Sequence, residues 1–235
     1  LKTPTAGHNL QEMLEIYKAN KDISVIFLCL PNNPLGECLD TKDVYAFLDE
    51  ISPETLVVID GAYQEYASFK DTAKKIVPSE IIAKYPNTLY SGTFSKAYGL
   101  GGMRCGYGIA QPEVIKALLK LRAPFNITNL TLKAAIVALS DDAFVQASVK
   151  ENFEQMKAYE AFAKELGFKT IESYTNFIVL EFDADKSSSA IAQKLMEKGI
   201  IVRNLGAYGM NAIRVTIGTP EQNERFFECF KTIYM

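Results

Sequence analysis

After a short polar lead, apolar residues at Leu10, Met13, Leu14 and Tyr17 follow the spacing of one helix face, and Asn9 with Glu12 has the pattern of an N-cap and its reciprocal partner. An amphipathic helix over 9–20 is predicted. Ser24 to Leu30 is a continuous apolar run stopped by Pro-Asn-Asn-Pro, which predicts a strand buried on both faces. Val44, Phe47, Leu48 and Ile51 lie on one stripe of a helix from Asp40 to Ile51, and Thr55 to Ile59 is a second buried strand ending at Asp60-Gly61. A helix over Pro78 to Lys84 leads to a third short strand, Asn87 to Tyr90, which runs into Ser91-Gly92-Thr93-Phe94-Ser95-Lys96. Strands alternating with helices imply right-handed crossovers and a mostly parallel sheet, and such sheets bind ligands at the carboxyl ends of their strands. The loops after Leu30, Ile59 and Tyr90 lie at those ends. They carry polar residues that packing does not require, and they are expected to converge on one side of the sheet.

From Gln111 to about Gly167 the pattern is helical, and a long stretch from Asp141 to Leu166 carries Phe144, Ala147, Phe153, Met156, Tyr159 and Ala163 at helical spacing. Such a helix often bridges two domains. Beyond it, a strand at Thr175 to Glu181, a helix from Ser187 to Lys198, strands at Ile200 to Val202 and Ala212 to Ile217, and a helix from Pro220 to Ile233 read as a small α+β unit. The expected fold is α/β: a three-layer large domain with a mostly parallel sheet over 1–155, and a smaller C-terminal α+β domain over 156–235.

Composition narrows the partners. In 235 residues, 25 Lys and Arg stand against 28 Asp and Glu, for a net charge of −3 without a block of like charge, so the chain lacks a footprint for nucleic acid or an anionic membrane. Its apolar runs are far shorter than the roughly 20 residues of a spanning helix. The first residues, Leu-Lys-Thr-Pro-Thr-Ala-Gly, lack the apolar core of a secretory signal and an initiator Met, so residues are expected upstream. Cys29, Cys38, Cys105 and Cys229 form no C-x-x-C, which points to reduced thiols in a cytoplasmic protein. With His8 the only histidine, just before a helix, neither a His-rich metal site nor a Ser-His-Asp triad is expected.

The candidate chemistry lies after the third strand. Gly99-Leu-Gly-Gly-Met-Arg-Cys-Gly-Tyr-Gly108 matches neither G-x-G-x-x-G nor G-x-x-x-x-G-K-[ST], which disfavours a nucleotide loop. Ser95-Lys96, followed eight positions later by Arg104, puts an amine beside a group suited to anions. In the last third, Arg203 follows an expected strand and Arg214 lies within one. An arginine inside an apolar strand needs an anionic partner, because an unpaired buried charge is expensive; that partner is either a structural carboxylate or a ligand.

Taken in order, Asn33, Asp60, Tyr63, Thr93, Ser95, Lys96 and Arg104 resemble the site residues of the fold-type I pyridoxal-phosphate aminotransferases, and most of all the histidinol-phosphate aminotransferase subgroup. The matching stretches are Pro31-Asn-Asn-Pro-Leu-Gly36, Val57-Val-Ile-Asp-Gly-Ala-Tyr63, Gly92-Thr-Phe-Ser-Lys-Ala-Tyr-Gly-Leu-Gly-Gly-Met-Arg-Cys-Gly-Tyr107 and Ala212-Ile-Arg-Val-Thr-Ile-Gly-Thr219. The resemblance implies that Lys96 holds pyridoxal 5'-phosphate as a Schiff base and is the catalytic residue. Asp60 pairs with the pyridine nitrogen, Asn33 and Tyr63 contact the ring 3-oxygen, and Thr93, Ser95 and Arg104 bind the phosphate. By the same resemblance, Arg203 and Arg214 would grip the substrate's phosphate or carboxylate. A carboxylate against the ring nitrogen keeps it protonated, so that the ring draws electrons from the substrate α-carbon.

The implied reaction exchanges the amino group between L-histidinol phosphate with 2-oxoglutarate and imidazole-acetol phosphate with glutamate, a step of histidine biosynthesis. The implied partners are these small molecules, with neither nucleic acid nor membrane, and a second copy in a homodimer when full length. Aromatic amino acids, or threonine phosphate with decarboxylation, remain open as substrates of the same fold, as does a non-catalytic α/β fragment. The sequence departs from the family pattern at three positions: Gly61 where Glu is common, Leu35 where Thr is usual, and Gly92 where Arg is frequent. It also begins where the family's large domain is already half built, so an N-terminal part that adds phosphate donors, a ring-stacking aromatic and a substrate-contacting arm is expected to be missing.

Overall fold

The computed structural model describes residues 7–234. The residues before Gly7, on which most of the signal-peptide reading falls, lie outside that range. The chain forms two compact units, one of residues 1–32 and 38–147, the other of 33–37 and 148–235. The division falls inside one helix, and the short segment 33–37 belongs with the C-terminal residues.

The first unit is built on a four-stranded sheet in the order β1 (Val25–Cys29), β2 (Leu56–Asp60), β3 (Thr88–Thr93), β4 (Gly106–Ala110). The first three strands are parallel, with Ile26 opposite Val57 and Asp60 opposite Ser91, and β4 is antiparallel to β3. α1 (Leu10–Ala19) precedes β1; α2 (Thr41–Asp49), α3 (Gln64–Lys70) and α4 (Pro78–Lys84) run between the parallel strands, and α5 (Pro112–Leu119) and α6 (Asn129–Leu139) follow β4. Asn9 caps α1 as its spacing implied: its Oδ1 accepts from the Glu12 amide at 3.1 Å and its Nδ2 donates to the Glu12 carboxylate at 3.2 Å. On one face of the sheet Ile26, Leu28, Val57, Ile59, Thr88 and Tyr90 are buried.

Several expectations are corrected. β1 is not buried on both faces: Val25 and Phe27 are 43% and 69% exposed, because β1 is an edge strand whose second face is left uncovered by the described residues. The third strand does not end at Tyr90 but continues through Ser91, Gly92 and Thr93, since pairing with β4 supplies a ladder for those residues. β4 itself was hidden, because its glycines oppose strand propensity and only the partner strand makes it extended. α3, with Tyr66 and Ala67 buried, was likewise missed behind Asp60-Gly61. The helical stretch from 111 breaks into α5, α6 and α7 (Asp142–Leu166).

The second unit carries an antiparallel sheet in the order β5 (Lys169–Ile171), β6 (Phe177–Glu181), β8 (Ala212–Thr216), β7 (Arg203–Asn204), with α8 (Ser188–Glu197) and α9 (Pro220–Tyr234). Ile200 to Val202, expected as a strand, is not one; the ladder to β8 forms one step later, at Arg203 and Asn204. The core joins Tyr159 and Phe162 of α7, Ile178 and Leu180 of β6, Leu195 of α8 and Phe226 and Phe230 of α9. Edge-to-face rings, such as Phe162 with Phe230 at 5.6 Å and 85°, fill it.

One polar anchor runs through this core. The Tyr159 hydroxyl donates to Asn223 Oδ1 at 3.0 Å, the Gly218 amide donates to the same oxygen at 2.9 Å, and Asn223 Nδ2 donates to Gln155 Oε1 and the Gly218 carbonyl. Burial pushes the Tyr159 phenol well above its ordinary pKa, so it remains a donor. Asn223→Ala leaves several of these groups without partners and is expected to cost about 2–3 kcal/mol, against about 1 kcal/mol for Tyr159→Phe, as read by urea unfolding.

Candidate active site

The carboxyl ends of the parallel strands carry the candidate residues of the first unit. Asp60 is the last residue of β2, level with Ser91 in β3, and Thr93 is the last residue of β3. Side chains alternate across a strand, so Asp60, Ser91 and Thr93 lie on the face opposite Ile59, Tyr90 and Gly92. Asp60 Oδ1 accepts from the Ala62 amide at 3.1 Å, which fixes the carboxylate at the turn into α3. Thr93 Oγ1 donates to the Cys105 carbonyl at 3.2 Å and accepts from the Ser95 amide at 3.1 Å, tying the start of the Lys96 loop to the residue before β4.

Lys96 is half-buried, with its ammonium 5.5 Å from the centre of the Tyr63 ring and no carboxylate partner among the described residues. Tyr63 is buried at the N-terminus of α3. Arg104 adopts a left-handed backbone, φ +51°, which costs a non-glycine residue on the order of 1 kcal/mol or more. Its Nη1 donates to the Gly101 carbonyl at 2.8 Å, and the guanidinium is otherwise exposed. The structure thus gathers six of the seven residues into the first unit. Asn33 lies in the other.

Two supports escaped the sequence reading. Gln64, buried in α3, donates from Nε2 to the Leu30 carbonyl at 3.1 Å and accepts the Ile76 amide on Oε1 at 3.1 Å, so α3 is tied to the end of β1. The spacing Tyr63, Tyr66, Ala67 was the signal for that helix. Glu65, in its first turn, has no ion pair among the described residues. Burial raises its pKa to about 7, against a small opposing effect of its own backbone amide. The phenols facing it are Tyr66, Tyr90, Tyr98 and Tyr107, each raised chiefly by burial and in part by the Glu65 charge.

In the second unit, Arg214 lies in β8 directly opposite Arg203 in β7. The expected structural carboxylate is absent among the described residues. Arg214 Nη1 donates instead to Asn33 Oδ1, and its guanidinium carbon lies 4.6 Å from the centre of the Phe177 ring. Its buried Nε has no hydrogen-bond partner. Two like charges directly opposite in a ladder oppose each other, and an orphaned donor adds to the cost; an anion relieves both.

Residues 2–230 match the family model for aminotransferase class I and II. The chain belongs to that family. Among its relatives are the histidinol-phosphate aminotransferases of Campylobacter lari, 59% identical over 97% of this chain and 63% of that protein, and of Campylobacter concisus, 60% identical over 97% and 62%. The chain therefore spans somewhat less than two thirds of the length of these aminotransferases. Among solved structures it is similar to histidinol-phosphate aminotransferase from Sinorhizobium meliloti in complex with pyridoxal-5'-phosphate, with 28% identity, TM-score 0.84, and 95% of this chain covering 61% of that one. The Clostridium acetobutylicum histidinol-phosphate aminotransferase, at 20% identity and TM-score 0.85 over 96% of this chain and 67% of that one, shares the fold. Among the described residues no helix is long and apolar enough to cross a membrane, and no group of three or more His, Cys, Asp or Glu could hold a metal ion.

The Glu65 carboxyl gives this chain a pH signature. Its pKa is higher folded, about 7, than the ordinary 4.5, so its contribution is fully present below pH 4.5 and is lost as pH rises through 7. Glu65→Gln is expected to remove this loss, raising stability above pH 7 by about 1–3 kcal/mol relative to the parent and leaving it little changed below pH 4.5. Thermal melts at pH 5 and pH 8 read the difference.

Proposed function

We propose that the chain is the larger part of a pyridoxal-phosphate-dependent aminotransferase acting on L-histidinol phosphate with 2-oxoglutarate. One observation carries the reading: a half-buried lysine amine without a carboxylate partner stands three residues past a strand end that also presents Thr93, beside the strand ending in Asp60. The identity of about 60% to enzymes of that name supports the substrate. The donor set suits the cofactor. Ser95 and Arg104 carry donors for a phosphate, with the Arg104 fork largely exposed; Thr93 joins them by turning its hydroxyl hydrogen away from the Cys105 carbonyl, and Asp60 has a second carboxylate oxygen open to a pyridinium N–H.

Pyridoxal phosphate, when bound, supplies an aldehyde that links to an amine and a protonated ring that draws electrons from the substrate α-carbon. Asp60 would accept the ring N–H and so hold that proton in place. Tyr63 would donate its phenol hydrogen to the ring 3-oxygen. Lys96 Nζ would be the amine that holds the cofactor's aldehyde, and as a free amine it would move a proton at the substrate α-carbon, a general acid–base role worth about 10²–10⁴-fold.

The second unit's part in this reading is anion recognition. Arg214 offers its orphaned Nε and a forked guanidinium to a carboxylate, Arg203 adds charge from the opposite strand, and Asn33, its oxygen already turned toward Arg214, keeps its Nδ2 hydrogens for a further acceptor. A homodimer in the cytoplasm belongs to the same proposal for the whole protein; exposed Leu130, Ile136 and Val137 on α6 support a partner surface.

Borohydride treatment of the full-length protein with pyridoxal phosphate is expected to fix the cofactor on Lys96, identified by peptide mass, and Lys96→Ala to lower transamination by at least about 10²-fold. A Lys96→Ala variant that still transaminates at the parent rate overturns the reading, and a kcat/KM for phenylalanine equal to that for histidinol phosphate overturns the substrate. Arg214→Met is expected to melt at or above the parent temperature without ligand, since it removes a like-charge pair, while raising KM for glutamate about tenfold to a hundredfold.

A further inference from the structure

Gly61 and Gly92, two of the positions at which the sequence departs from the family pattern, are neighbours. Asp60 is level with Ser91, and the Gly61 amide donates to the Ser91 carbonyl at 2.8 Å, so the two glycines follow one another across adjacent parallel strands on the same face of the sheet. Neither has a positive φ. Glycine is required there for space and not for backbone conformation.

The space is taken by two tyrosines. A Cβ on Gly61 would lie 2.6 Å from Tyr90 Cε2 and still closer to that ring's Cζ and hydroxyl. A Cβ on Gly92 would lie 2.7 Å from Tyr107 Cε1 and again closer to the end of the ring. Real Cβ atoms do not approach carbon so closely in a close-packed interior. Tyr107 is the ladder partner of Gly92, and Tyr90 lies two residues before it on the same face. The two rings are 6.4 Å apart, and Phe94 closes the set at 5.8 Å from Tyr107. Tyr90 is buried at 3% exposure, so its ring cannot swing into solvent to make room.

These rings therefore press on the backbone from the face opposite the one that carries Asp60 and Thr93. We propose that Tyr90 and Tyr107 are positioning residues, wedged against Gly61 and Gly92 so that the adjoining peptides hold Asp60 and Thr93 at a fixed spacing. The glycines at 61 and 92 are then coupled, since two neighbouring phenol rings fill the space that a side chain at either position would need. The assignment of Asp60 and Thr93 to the cofactor rests on the proposal of the preceding subsection, whereas the wedge is a property of the first unit alone.

Two measurements on the full-length protein separate these parts. In the absence of cofactor, Gly92→Ala and Tyr107→Leu are each expected to lower the melting temperature, and the double variant to melt higher than the sum of the two losses predicts, because the smaller side chain relieves the clash. Additive losses, or a Gly92→Ala variant that melts like the parent, overturn the wedge. With pyridoxal phosphate bound, visible circular dichroism reports how the ring is held. Tyr107→Leu and Tyr90→Leu are expected to alter that band well below their melting temperatures and to weaken cofactor binding by about tenfold, a size typical of a lost supporting contact. Tyr107→Phe, which keeps the ring, is expected to retain both. A parent-like band and affinity in both Leu variants overturn the positioning role. A parent protein that binds no pyridoxal phosphate overturns the functional proposal, while the melting cycle still decides the wedge.

Discussion

The parallel pairing of β2 with β3 is the constraint on which the first unit depends. Once Asp60 is level with Ser91 and the Gly61 amide meets the Ser91 carbonyl, the strand ends stop side by side and the chain must leave both in the same direction. The Asp60 turn and the Lys96 loop then become neighbours without any contact between their side chains having to be specified. Pleating assigns the acid and the hydroxyls to one face and the tyrosines and glycines to the other. The antiparallel β4 completes the arrangement, since it extends β3 by the residues that carry Thr93 and brings Tyr107 against Gly92.

The electrostatics of the two units differ in kind. In the first unit the polar groups are mostly satisfied by backbone: Asp60 by the Ala62 amide, Thr93 by the Cys105 carbonyl, Arg104 by the Gly101 carbonyl. In the second, Arg214 faces Arg203 with an amide oxygen and a phenyl face for company. The protein carries an uncompensated charge there, which is destabilising in isolation and useful only where an anion arrives. The half-buried Glu65 near four phenols is a similar local cost in the first unit, met by holding its proton up to about neutral pH.

The periodic elements were legible, because a helix face repeats every three to four residues and α1, α2, α4, α8 and α9 declare it within their own sequence. The Lys96 segment was legible for another reason: its residues stand in one continuous stretch, so its resemblance to the family can be read from neighbouring positions alone. What could not be read was local structure borrowed from a partner. The glycines of β4 resist extension until β3 supplies a ladder, α3 is short and hidden behind a turn, and the exposure of Val25 and Phe27 depends on which edge of the sheet their strand occupies. Gln64 and Asn223 are ordinary polar residues in the sequence; their importance comes from a backbone carbonyl, a phenol and an amide side chain that are far away in the chain.

By itself, then, the sequence determined the alternation of strands and helices, the family, and the residue types offered for chemistry, since hydrophobic period and motif are properties of neighbouring positions. Tertiary structure alone decided the rest. It put Asn33 with the C-terminal unit beside Arg214, although Asn33 stands in sequence only three residues after Leu30 at the end of the first strand. It shifted the last ladder onto Arg203, and it explained Gly61 and Gly92 by rings from two other positions. The physical reason is the same throughout: register, burial and close approach are relations between distant residues, and they exist only when the chain has folded.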